Sequence, residues 1–330
     1  MASKRIAWID NLRGLCMVFV CFHHTGTSPV WFHKFYLPIF LTSFFFVSGY
    51  LFHNPSRNFS PKQKLLNIFT SLVIPYFIYC SCCSGIALVT HGVEDFLHQL
   101  YLSVYGTKSW FISALILCQL FCLVHFQARP QRRQGALGLT LLLAIMLYFC
   151  LPVGNYFWNF RNALLAYFFF GCGMFARRYD LVKLLLKHNN WGWGFVLSYV
   201  LCVAVDTRYN LLSGCFNAWF TSYPFFFLDN VVGIPAIIYL CSRITCYNRL
   251  LLFIGANSLL YYYLPTLVNI VTDRVLVATS IPIVNFPMLI LVVWFKCLLM
   301  IIPVWFINKY LPVFAGKYRI QLKQNEVVNR

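Results

Sequence analysis

The sequence predicts an all-α polytopic membrane protein of about ten transmembrane helices with both termini in the cytoplasm. Three observations predict it. Hydrophobic residues make up 60% of the 330 and charged residues 10%, against about 25% charged in a soluble domain. Apolar runs of about 18–25 residues recur from end to end, the length of helical spans and without the alternation of a membrane barrel. The basic residues, finally, divide unevenly between alternate connections. With the N-terminus inside, nineteen fall on the cytoplasmic side and five (Lys34, Lys108, Arg161, Arg208 and Arg274) outside, which is the positive-inside pattern.

The expected spans, in order, are 9–30, 36–53, 65–90, 110–126, 137–154, 161–176, 191–207, 223–241, 250–271 and 281–306. The first follows Lys4 and Arg5 and lacks a small-residue cleavage site, so it reads as a retained helix. Lys62 and Lys64 precede the third, and Arg129, Arg132 and Arg133 the fifth, as cytoplasmic flanks. Segment 210–220 is mixed, fitting either a re-entrant or a surface stretch. The connections are too short for a soluble domain, so one transmembrane domain over 1–330 is expected, with a short cytoplasmic tail from about 308 to 330.

The net charge of +18 would point to nucleic acid in a soluble chain. Here the charges lie in short loops and are absorbed by topology, so membrane lipids are the expected partners and nucleic acid is not. The same charges give the cytoplasmic face a potential that attracts an anionic lipid or substrate. Most of the fourteen cysteines lie inside apolar runs without zinc-site spacing, so they read as small hydrophobes and no metal is expected.

Polar residues inside apolar runs carry the functional signal, because each is costly there unless it serves a partner, water or a substrate. Arg13 and His24 are eleven residues apart. That is about three helical turns, placing both on one face within roughly 20° and about 16 Å apart along the axis. His23 points about 80° away from that face. Asp10 and Arg13 have i,i+3 spacing and can pair, which leaves open a purely structural ion pair beside a packing histidine. Ser48 and Gly49 remove bulk within an aromatic run, permitting close helix approach. Pro75 interrupts the third span and kinks it. Asp229, Asn257, Tyr261 and Lys296 are further polar groups in the later runs.

Order and spacing of these elements resemble the acyltransferase-3 superfamily of integral membrane proteins. The resemblance rests first on Ile9-Asp10-Asn11-Leu12-Arg13-Gly14-Leu15 with His24 after ten intervening residues. It continues through Phe44–Phe52, Pro75-Tyr76 behind a basic segment, Trp110-Phe111, Tyr167–Phe175 and Ile254-Gly255-Ala256-Asn257-Ser258 with Tyr261-Tyr262. It implies transfer of an acyl group, usually acetyl, from cytoplasmic acyl-CoA to a hydroxyl of a cell-surface glycan or its lipid-linked precursor. It also implies a bacterial inner-membrane location, with Arg13 on the donor-binding side and His24 as the essential histidine. Two features depart from the pattern. Leu264-Pro265 stands where many relatives place a histidine, and Lys62 and Lys64 lie farther from Pro75 than the relatives' arginines.

The chemistry is consistent with that assignment. Acyl transfer from a thioester needs a base for the attacking hydroxyl, a task suited to a neutral imidazole at His24. Arg13, about 16 Å nearer the cytoplasm, can hold the phosphate or pantetheine part of an extended acetyl-CoA. Lys64, Arg129, Arg132 and Arg133 are candidate helpers, and Asp10 the candidate partner of Arg13. For the acceptor, Trp110, Asp229, Asn257 and Tyr261 offer an aromatic face and short polar groups suited to a sugar. The competing reading is a transporter of a glycan or its lipid-linked precursor, compatible with the same spans and polar residues.

Overall fold

A computed structural model describes residues 6–25, 28–52, 60–125, 133–213, 216, 220–244, 248–265, 268–269, 272 and 285–318. Its helices, in chain order, are α1 (Ala7–His23), α2 (Val30–Tyr36), α3 (Phe40–Phe52), α4 (Pro61–Ile68), α5 (Ile74–His91), α6 (Val93–Tyr105), α7 (Trp110–His125) and α8 (Arg133–Cys150). There follow α9 (Phe160–Arg178), α10 (Leu181–Lys187), α11 (Asn189–Tyr209), α12 (Tyr223–Arg243), α13 (Arg249–Ala256), α14 (Ser258–Tyr263), α15 (Phe286–Leu299) and α16 (Ile301–Tyr310).

Several helix starts are written locally. Ser60, Ser222 and Asn285 cap α4, α12 and α15 by accepting from the backbone N–H three residues on, and a proline occupies the first or second helical position after each. That proline loses nothing, since the first N–H groups of a helix have no internal partner. Pro75 is different. It lies within continuous helix, and the five residues Phe69–Val73 before it widen into a π-turn. A proline supplies no N–H for the carbonyl four residues back, here that of Ser71, and its ring crowds that carbonyl. A wider turn relieves the crowding.

Five helical segments are long and apolar enough to cross a membrane among the described residues: Val30–Phe52, Pro61–His91, Val93–Val124, Tyr223–Arg243 and Phe286–Tyr310. The protein is therefore an integral membrane protein, but the expected count of ten transmembrane helices is corrected to about five among the described residues. The reasons are local. The first run forms a helix of only 17 residues carrying Asp10 and Arg13, short of the ~20 residues that a bilayer core requires. The run at 250–271 breaks at Asn257 into helices of 8 and 6 residues. Arg161, Asn162, Arg177 and Arg178 dilute α9, and Asn189, Asn190, Asp206 and Arg208 dilute α11. The run at 137–154 yields only a shorter apolar helix over Gly135–Cys150.

Helix α1 packs against α3, α12, α13, α14 and α15. Its contact with α13 is backbone to backbone. A Cβ on Gly14 would stand 2.2 Å from the Leu251 carbonyl oxygen, and one on Gly255 would stand 1.8 Å from that of Asp10. Helices α3 and α9 cross in the same way, Gly49 against the Phe170 carbonyl and Gly173 against that of Phe46. The expectation of close approach at Gly49 is met here. Farther out, the Lys34 ammonium is buried 3.2 Å from the Asp206 carboxylate, and it donates to Asn210 Oδ1 and the Leu212 carbonyl, tying α2 to the end of α11.

These contacts generate a stability prediction. Gly255→Ala forces the α1–α13 backbones apart and should cost about 1–3 kcal/mol or more, lowering the melting temperature in detergent. Gly138→Ala, with nothing within 4 Å of the new methyl, should be neutral or stabilising by up to ~1 kcal/mol. Equal melting curves for the two variants would contradict the packing.

Candidate functional site

A cavity of about 570 Å³ opens where α1, α3, α4, α7 and the α13–α14 break meet the segment after α16. Pockets of this size hold small ligands and cofactors. Arg13 and Met17 line it from α1, Phe44 and Ser48 from α3, Lys64 from α4, Asn257 and Ser258 from the break, and Ala315, Gly316 and Lys317 from the final segment. Three cations and no carboxylate line it, among the described residues. In an apolar surrounding, that arrangement favours an anion.

Each cation is oriented by its own neighbours. The Arg13 guanidinium lies 5.3 Å from the centroid of the Phe44 ring. The Lys64 ammonium sits 4.4 Å from the Phe52 ring and donates to the Phe52 carbonyl at 2.8 Å. Phe52 ends α3, where the helix dipole attracts a cation. Lys317 donates to Asn257 Oδ1 at 2.8 Å, and Asn308 Nδ2 donates to the same oxygen at 2.8 Å. Asn257 in turn donates its own Nδ2 to the Phe253 carbonyl at 2.8 Å. It leaves helical geometry at φ −120°, ψ 24°, which separates α13 from α14.

A second, much narrower pocket lies farther along α1. Cys21, His24 and Thr25 line it together with Pro265, Asn269, Lys296 and Met300. Arg13, Met17, Cys21 and His24 are spaced i, i+4, i+8 and i+11, one stripe of the helix. The stripe thus faces two consecutive cavities, Arg13 in the first and His24 in the second. Lys296, 3% exposed, donates to Asn269 Oδ1 at 2.8 Å and to Thr25 Oγ1 at 3.3 Å. His24 follows the last residue of α1 and is outside the five crossing segments. Desolvation, then the neighbouring His23, hold its imidazole below the usual histidine value. The His23 ring meets that of His24 edge to face at 5.3 Å and stacks 6.1 Å from His33 on α2.

The structure brings Arg13, Lys64 and Asn257 to one cavity. Asp10 sits half-buried in the first turn of α1 with its backbone against Gly255 and does not line that cavity. Trp110 stacks 5.8 Å from Phe216. Asp229 is buried within α12, and Tyr261 is fully buried with its hydroxyl donating to the Cys297 carbonyl at 3.0 Å. Of Trp110, Asp229, Asn257 and Tyr261, Asn257 lines the cavity that holds Arg13 and Lys64, and the other three are not among its lining residues. Arg129 and Arg132 lie outside the described residues, as does the side chain of Arg133, which opens α8.

Two lining residues had no site role in the sequence reading. Lys296 was legible as the single cation in the apolar run 286–302. Lys317 carried no signal, being one of several basic residues near the end of the chain. Among the described residues, no group of three or more histidines, cysteines or acidic residues is arranged to hold a metal.

Comparison with known proteins returns a family and no individual relative. No curated protein and no solved structure matches the chain. Residues 6–309 match the family described as an acyltransferase domain, a stretch running from the start of α1 almost to the end of α16. It takes in Arg13, His24, Lys64, Asn257 and Lys296, and on that match the chain belongs to the acyltransferase-3 family.

Proposed function

We propose that the protein moves an acyl group, most simply acetyl, from acyl-CoA to a hydroxyl of a cell-surface glycan or its lipid-linked precursor, at the bacterial inner membrane. The observation that carries this reading is the pairing of Arg13 and Lys64 in one cavity of about 570 Å³. The phosphates of the donor supply the negative charge this cavity favours, and its apolar lining suits the pantetheine arm.

The acyl end then lies along the α1 stripe toward His24, about 16 Å away for an eleven-residue separation. A donor held by its phosphates at Arg13 is long enough to cover that distance when extended. His24 takes the proton of the acceptor hydroxyl as its oxygen attacks the thioester carbonyl carbon. The tetrahedral adduct collapses, the carbon–sulfur bond breaks, and the thiolate recovers the proton from the imidazolium. Transfer therefore balances without an external base. The lowered imidazole pKa keeps His24 neutral, and so able to accept a proton, at pH values where an ordinary histidine is half protonated.

Three outcomes are expected with purified protein, labelled acetyl-CoA and an acceptor glycan. His24→Ala should lower the transfer rate by about 10²–10⁴, the usual worth of a positioned base, while His23→Ala stays close to wild type. Equal loss in the two would remove His24 from this role.

Arg13→Ala should raise the KM for acetyl-CoA by about tenfold or more, the loss expected for a charge-assisted contact. Arg13→Lys should recover only part of it, because an ammonium cannot make the planar two-point contact. An unchanged KM in Arg13→Ala would reassign Arg13 to structure.

The acid limb of the kcat/KM profile should fall as pH drops through the His24 pKa, with its inflection below the ordinary histidine value of about 6.5. An inflection above that value, or none that disappears in His24→Ala, would exclude the proposed base.

A further inference from the structure

Three residues of the large cavity's wall, Ala315, Gly316 and Lys317, lie beyond residue 309, where the match to the family ends. The segment reaches the cavity by a specific docking. After α16 the chain turns back, with Phe314 N–H on the Leu311 carbonyl at 2.9 Å, Gly316 N–H on that of Val313 at 3.1 Å, and Lys317 N–H on that of Pro312 at 3.0 Å. Gly316 adopts φ +62°, and a Cβ there would stand 2.3 Å from the Ser71 carbonyl oxygen. Both the backbone geometry and the contact require glycine. Ser71 belongs to the π-turn before Pro75 and itself lines the cavity. Lys317, the next residue, is thereby placed in the wall of the cavity that Arg13 and Lys64 also line, and Asn257 holds its ammonium at 2.8 Å. The contact to Asn257 orients the ammonium at the cavity wall.

We propose that this final segment is part of the donor site, and that Lys317 binds a phosphate of the acyl donor as a third cation beside Arg13 and Lys64. The inference rests on the reading of the cavity as an acyl-CoA site. It assigns to the segment past the family's domain the task of selecting a phosphorylated donor over a bare pantetheine thioester. The three cations come from α1, α4 and the C-terminal turn. Three cations in one cavity match a ligand that carries several phosphates better than a single phosphate.

The test compares two donors, acetyl-CoA and acetyl-pantetheine, which share the thioester but differ in phosphate. Lys317 is exposed, so Lys317→Gln should fold as wild type does. It is expected to raise the KM for acetyl-CoA by about tenfold, the lower end of what a charge-assisted hydrogen bond contributes, with kcat little changed and no effect on acetyl-pantetheine. Lys317→Arg should restore most of the loss. Gly316→Ala should shift the KM for acetyl-CoA in the same direction, by displacing the turn from Ser71. An unchanged KM for acetyl-CoA in Lys317→Gln, or an equal rise with both donors, would overturn the role of Lys317. Calorimetric titration of wild type with CoA separates the two levels. If wild type binds CoA and Lys317→Gln binds it equally well, only this inference falls. If wild type does not bind CoA, the donor-site reading falls and this inference with it.

Discussion

Two glycines on facing helices set the geometry on which the rest of the site depends. Gly14 and Gly255 bring α1 and α13 into backbone contact, each against a carbonyl of the other helix. Small residues at the crossing let the two backbones approach to van der Waals distance along the contact, and many such contacts sum to a large attraction. The contact is also directional. It fixes the rotation of α1, turning Arg13 into the large cavity. It also fixes the end of α13, where Asn257 breaks the helix at the same cavity's edge. A methyl group at either glycine displaces both site residues together.

Orientation of polar groups is the second constraint. An arginine or lysine in apolar surroundings needs neighbours that accept its charge, and each cation here has been given such neighbours. Arg13 lies over an aromatic ring, Lys64 over a ring and against a helix-terminal carbonyl, and Lys317 on an asparagine oxygen. Lys296 is held by Thr25 and Asn269, and Lys34 by Asp206 and Asn210. The difference lies in what surrounds these pairs. Lys34 faces a carboxylate and is neutralised within the protein. Among the described residues, three cations and no carboxylate line the large cavity, a charge balance that favours an external anion.

One helix therefore links two chambers of different character. The stripe Arg13–Met17–Cys21–His24 passes from a roomy cationic cavity to a narrow one holding an imidazole and a buried ammonium. The break at Asn257 and the residues beyond α14 border both chambers, Ser258 the first and Pro265 and Asn269 the second.

By itself the sequence determined the helical class, the membrane setting, the common stripe of Arg13 and His24, and the small-residue contact at Gly49. These are properties of contiguous residues, set by periodicity and residue size. The tertiary structure decided how many apolar runs become helices able to cross a membrane. Apolar runs mark helices enclosed by other helices as well as helices facing lipid, so a count of runs overstates the spans, as α1 and the divided α13–α14 region show. Tertiary structure also decided that Lys64, Asn257 and Lys317 meet Arg13, while Trp110, Asp229 and Tyr261 occupy separate places. Residues 13, 64, 257 and 317 are distant in the chain, and only packed helices and the turn seated on Ser71 bring them to one cavity.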